Sequence, residues 1–167
     1  MKGTKKLAVL AMMVSMALVL HVVESLLPIP YIAPGVKLGL ANIVSLVAII
    51  LFGFKEALVV VLLRTFLGSL LGGVPSNFLF SSAGGMLSTV VMYALYRWAG
   101  SKFSVVGISV AGAVAHNVGQ LFVAGLIVEN FGLYIYLPIL MVSAVITGIF
   151  IGFTVKYVMA LMGRGSN

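Results

Sequence analysis

Arg64 lies in the middle of an otherwise apolar stretch, 57–71, in a chain that carries little other charge. A cation at bilayer depth costs about 3 kcal/mol or more on insertion scales, so it requires a counter-charge, a polar cavity or a function. Further polar residues recur in segments that are otherwise apolar. Glu24 follows His21 by three residues, which puts both on one helix face. Lys37 precedes Asn42, Ser81 stands beside Ser82, and His116-Asn117 is followed by Gln120 one helical turn after His116. Each of these residues, taken singly, has a structural explanation: Glu24 neutralises Arg64 or Lys37, and the histidine and amides bond to backbone. The set exceeds that need. Two cations and many donors face a single nearby carboxylate, which suits capture of a ligand bearing a polar, anionic group. Lys37, expected at the start of a helix, adds the dipole end that favours an anion, with the Pro-rich stretch 28–35 as a cap over the site.

The chemistry that is missing narrows the choice. The chain has no aspartate, and Mg²⁺-dependent diphosphate chemistry rests on clustered carboxylates. No Walker A pattern occurs, so any ATP hydrolysis belongs to a partner. There is no cysteine, hence no disulfide, thiol nucleophile or thiolate metal site. Two histidines with one nearby glutamate, beside two cations, do not make a metal site, and no cofactor is implied. Spacing alone leaves Ser81 or Ser82 with His116 and Glu24 open as a hydrolytic triad. The expectation is a protein that is not an enzyme.

The elements that must position these residues follow from composition. The chain is 62% hydrophobic and only 8% charged, which predicts an integral membrane protein folded as one all-α bundle. Loop signals divide it into six transmembrane spans at about 7–27, 37–52, 57–71, 78–98, 105–128 and 133–157. The first span is too long for a signal-peptide core and is expected to be retained. A net charge of +7 does not mark a nucleic-acid surface here, because the cations sit between apolar spans. With six spans, Lys2, Lys5, Lys6, Lys55, Arg97, Lys102, Lys156 and Arg164 share one side, which the positive-inside rule makes cytoplasmic together with both termini. Trp98 and Tyr157 on that side, with Tyr31, Tyr134 and Tyr136 opposite, suit aromatic belts at the two lipid boundaries. Arg64 is then about 12 Å below the outer end of its span. The polar residues gather in the outer half, and the inner half is apolar. Small residues repeat at four-residue spacing (Gly68 and Gly72, Ser81 and Gly85, Gly84 and Ser88, Gly107 to Gly119, Ala144 to Gly152), which lets helices approach closely in lipid.

The segments Glu24-Ser25-Leu26-Leu27-Pro28-Ile29-Pro30 and Ala33-Pro34-Gly35-Val36-Lys37-Leu38-Gly39-Leu40-Ala41-Asn42 resemble a bacterial membrane family known as heptaprenyl diphosphate synthase component I, or Gx transporter. Arg64, Phe80-Ser81-Ser82-Ala83-Gly84-Gly85 and His116-Asn117-Val118-Gly119-Gln120 also fit its pattern. That family is in turn similar to the substrate-binding S components of energy-coupling-factor transporters. The resemblance implies a six-helix bundle in the bacterial cytoplasmic membrane that binds a small solute. Its expected partners are a coupling subunit and two cytoplasmic ATPases. It implies Glu24, Lys37, Asn42, Arg64, His116, Asn117 and Gln120 as ligand-binding residues, to which Ser81 and Ser82 are added here. S components dock the coupling subunit through an Ala-x-x-x-Ala pattern in the first helix. The nearest counterpart here is Ala11 to Ser15, with Ala8 one turn before. The family label also implies an alternative, a non-catalytic membrane accessory subunit of heptaprenyl diphosphate synthase, and hints at an isoprenoid-related or diphosphate-bearing ligand.

Overall fold

The computed structural model describes residues 3–26, 39–72, 76–99 and 102–163. They form six α-helices: α1 (Gly3–Leu26), α2 (Asn42–Phe52), α3 (Phe54–Leu71), α4 (Ser76–Ala99), α5 (Val105–Ile127) and α6 (Leu137–Leu161), the last preceded by a 3-10 segment, Phe131–Tyr136. No strand occurs among the described residues. Ser104 caps α5 by accepting the Gly107 N–H at 3.1 Å, and Asn130 caps the 3-10 segment through the Gly132 N–H at 2.9 Å. Both are short acceptors placed where helix-start amides lack intrahelical partners.

Side-chain contacts fix the helix directions. Phe54 stacks near Tyr93 and Phe66 meets Phe78 edge-on, so α3 and α4 run antiparallel. Gly84 faces Gln120 while Gly112 faces Met92, and Gly148 and Gly152 lie against Val110 and Val106. Hence α4, α5 and α6 also alternate. Lys6 pairs with Glu56 and His21 rests on Gly68, which makes α1 parallel to α3. Lys5, Lys6, Lys55, Arg97, Lys102 and Lys156 therefore share one end of the bundle, as the charge pattern predicts. Glu56, although Lys55 is its neighbour in sequence, reaches across to Lys6 of α1. Trp98 and Tyr157 are largely exposed near the basic end, at 82% and 67%, which suits the belt expected there. Lys2, Lys37, Arg164, Tyr31 and the stretch 28–35 lie outside the described residues.

Among the described residues, four helical segments are long and apolar enough to cross a membrane: Gly3–Glu24, Asn77–Ala99, Val105–Ile127 and Phe131–Leu161. The expectation of six spans is met only in part. The second span was placed at 37–52, yet α2 begins at Asn42 and has 11 residues, a rod of about 16 Å. The reason is local: Gly39 adopts φ +82, and a turn follows in which the Asn42 and Ile43 amides bond to Gly39 and Leu40 carbonyls at 2.8 and 3.1 Å. A left-handed residue ends helical continuity in the N-terminal direction. Asn42 consequently opens α2 instead of lying a turn inside it. At its other end α2 meets α3 through Gly53 alone, with φ +97 and ψ −168, a backbone region open essentially to glycine only.

The short α2 is the axis of the bundle. It touches every other helix, whereas α1 packs on α2 and α3 without reaching α4, α5 or α6. Around α2 the apolar core gathers Met13, Val14, Ala17, Leu46, Ile49, Val60, Met92, Ile108, Ile151, Val155 and Met159. Most of these belong to the half of each helix nearer the basic end, and most of the buried polar side chains occupy the other half, with Ser88, Thr89 and Ser109 as exceptions.

Candidate functional site

Arg64 is the largest side chain fully enclosed by the fold, at 1% exposure. Its Nη2 donates to Asn42 Oδ1 at 3.2 Å, tying α3 to the start of α2. The guanidinium rests on α4 where a glycine admits it. A Cβ on Gly85 would stand 3.3 Å from Arg64 Nη2 and 2.7 Å from Val61 Cγ1. The Glu24 carboxylate of α1 acts favourably on the Arg64 charge and accepts the Gly39 backbone N–H. A Cβ on Gly39 would lie 2.9 Å from Asn42 Nδ2 and 3.3 Å from His116 Cδ2, so the turn before α2 abuts α5. Next along, a Cβ on Gly84 would come within 2.6 Å of Gln120 Cγ and 2.7 Å of the His116 carbonyl oxygen. Side chains from α1, α2, α3 and α5 thus converge around one guanidinium, and α4 provides the glycines that admit them.

The fates of the individual residues differ. Glu24, Asn42, Arg64, His116 and Gln120 come together, and His116 and Gln120 share the face toward α4 that their spacing predicts. Ser81 joins them as a buried hydroxyl three residues from Gly84. Ser82 is buried too, but its hydroxyl donates to its own helix at Leu79 O, 3.2 Å away. Asn117 turns elsewhere: its Nδ2 donates to the Leu140 carbonyl of α6 at 2.9 Å, so its amide serves helix packing. His21 sits one turn from Glu24 against Gly68. Ala8, Ala11 and Ser15 are all exposed on α1, with Ser15 Oγ bonded back to Ala11 O at 3.0 Å. Among the described residues, His, Cys, Asp and Glu form no group of three able to hold a metal.

The polar groups are under-satisfied. Arg64 Nε, Asn42 Nδ2 and Ser81 Oγ are buried without a hydrogen-bond partner among the described residues. Most buried polar groups in native structures are paired, so each such atom requires an explanation. Here three potential donors from three successive helices, one of them on the cation itself, are left without a partner among the described residues, a set suited to an oxyanion.

Gly39, Gly84 and Gly85 are the positions whose part in the site residue types do not announce. Their spacing signals only close helix approach, and what approaches is visible only in three dimensions.

A helical protein with several membrane-length apolar helices and a buried, arginine-centred polar cluster is the class that the fold and site define. The chain belongs to the family described as heptaprenyl diphosphate synthase component I, whose model matches residues 13–158. No curated protein and no solved structure matches it.

Proposed function

We propose that this chain is a membrane-embedded substrate-binding subunit, similar to the S component of an energy-coupling-factor transporter. It captures a small anionic solute, of micronutrient or isoprenoid-related type, at the Arg64 cluster. One observation carries this: a fully enclosed guanidinium is bonded through Nη2 to Asn42, while its Nε and the neighbouring Asn42 Nδ2 and Ser81 Oγ have no partner among the described residues. Ion pairing alone would have left no such surplus of donors. Lys37, beyond the described residues, and Ser82, His116 and Gln120 complete the ligand-binding set carried over from the sequence, while Asn117, bonded to the Leu140 carbonyl, is left to the α5–α6 contact. On this proposal 1–167 is one domain in a bacterial cytoplasmic membrane, with the basic end toward the cytoplasm. The exposed Ala8, Ala11 and Ser15 face of α1 meets the coupling subunit, which brings its ATPases.

The decisive experiment is native mass spectrometry of protein extracted with its endogenous small molecules. Wild type retains a ligand, Arg64→Lys retains it weakly, and Arg64→Ala loses it while keeping its melting profile. Retention by Arg64→Ala removes the cluster from the site.

The family description favours a second proposal: a non-catalytic accessory component of heptaprenyl diphosphate synthase, providing a membrane seat for a soluble catalytic partner. The match over residues 13–158 supports it. Affinity purification separates the two, because the first expects a coupling subunit and ATPases to co-purify and the second a prenyl transferase.

A further inference from the structure

Most hydroxyls inside these helices bond back to their own backbone. Ser15, Ser45, Thr65, Ser69, Ser82, Thr89, Thr147 and Thr154 each donate to a carbonyl three or four residues earlier. This is the ordinary way a helical serine or threonine satisfies itself in an apolar setting. Ser81, Ser88 and Ser109 depart from it: all three are buried, and no Oγ has a partner among the described residues. Their locations are related. Ser81 and Ser88 lie on the α4 stripe with Gly84 and Met92, and Ser109 lies on the α5 stripe with Gly112, His116 and Gln120. Ser88 Oγ points at α5, because a Cβ on Gly112 would stand 3.2 Å from it. The same Cβ would meet Met92 Cγ at 2.4 Å and Sδ at 2.6 Å, so Met92 is the side chain that fills the seam at that level. As Gly84 and Gly119 of the α4–α5 seam lie against the backbone of His116 and Ala83, so in the neighbouring α5–α6 seam Gly148 and Gly152 lie against the backbone of Val110 and Val106. That seam contains no unpartnered hydroxyl among the described residues.

We propose that the α4–α5 seam is hydrated, with Ser81, Ser88 and Ser109 holding a file of water. The file continues the Arg64 cluster by two to three helical turns toward the basic end, and Met92 is its constriction. Buried hydroxyls without protein partners are the groups that internal water satisfies, whereas dry cavities are lined by apolar atoms. Ser109 lies about 16 Å along α5 from Gln120, counting 1.5 Å per residue, so the file spans much of the apolar half. Such a file gives a proton or a small hydrated solute a polar route between the cluster and the basic end, and it stands whatever occupies the Arg64 cluster.

The test exploits a chain that has no cysteine of its own. Ser88→Cys, Ser109→Cys and, as the packed control, Ala144→Cys of the α5–α6 seam are each reconstituted into liposomes. Each is then treated with a small, hydrophilic methanethiosulfonate reagent, without any added solute. Because thiolate forms in water and is suppressed in apolar surroundings, the two seam cysteines are expected to react about tenfold or more faster than the control. Met92→Ala accelerates both further. Equal rates at all three positions overturn the proposal, as does failure of both seam cysteines to react. Melting temperature gives a second readout. Ser88→Ala lowers it if the hydroxyl binds water, and raises it if a dry orphan group is being removed, in which case the seam is dry packing.

Discussion

Gly84→Ala is the substitution that most directly probes how the polar cluster is assembled. The new methyl would stand 2.6 Å from Gln120 Cγ and 2.7 Å from the carbonyl oxygen of His116. The first neighbour can swing aside; the second is backbone inside α5 and cannot. The α4–α5 separation must therefore widen, and overpacking of this kind costs about 1–3 kcal/mol. Alanine for glycine in a helix interior returns up to about 1 kcal/mol of backbone propensity. Gly107→Ala receives the same propensity gain, and its methyl would meet only Phe103 and Ser104, both at 3.6 Å. The two variants should thus differ by about 2 kcal/mol, which for a chain of this size is a gap of about 4–8 °C in melting temperature. Gly112→Ala belongs between them, because its obstacle is the flexible Met92 side chain. The assay is thermal unfolding in detergent, followed by loss of monodisperse protein. If Gly84→Ala melts with Gly107→Ala, α4 and α5 are not held at the separation described and the convergence on Arg64 loses its support.

Other expectations follow from contacts away from the cluster. Asn117→Leu should cost about 0.5–1.5 kcal/mol by removing the α5–α6 hydrogen bond to the Leu140 carbonyl, which keeps its partner within α6. It should leave ligand retention unchanged in native mass spectrometry; lost retention would place Asn117 in the site after all. Gly53→Ala has no steric neighbour within 4 Å, so its cost of about 1–3 kcal/mol is purely conformational, and an unchanged melting temperature would refute the conformation assigned to the α2–α3 link. The Lys6 hydrogen bond holds the Glu56 carboxyl below its ordinary range. A depressed folded-state value means that the pair's contribution is present above the unfolded carboxylate pKa. It is lost as pH falls through the folded value. Both partners are partly exposed, so the contribution is under about 1 kcal/mol. Glu56→Gln should abolish that acid-side dependence, read from melting temperature as a function of pH.

The helix inventory and the segregation of polar from apolar halves were legible in the sequence, because long apolar runs and basic gaps carry that information directly. So was the convergence of Glu24, Asn42, Arg64, His116 and Gln120, since an intramembrane cation demands polar company. The shortness of α2 was not legible. An apolar stretch preceded by Lys37-Leu38-Gly39 looks like one continuous span, and only the positive φ of Gly39 reveals the break. Asn117 misled for a related reason: adjacent residues on a helix point about 100° apart, so a polar neighbour of His116 faces another helix. The partner of Glu56 was hidden because the nearest cation in sequence was not the nearest in space.

The stubby central helix also bears on biogenesis. Eleven residues fall well short of the roughly 20 that the insertion machinery recognises as an independent span, and α2 is sheathed on all sides by protein. It has no reason to stay in lipid before its neighbours arrive. Its placement is therefore a late assembly event, tied through the single-residue Gly53 link to the insertion of α3. Truncations that end after Phe52 should leave this stretch outside the bilayer, and glycosylation mapping of nested truncations would show where it becomes committed.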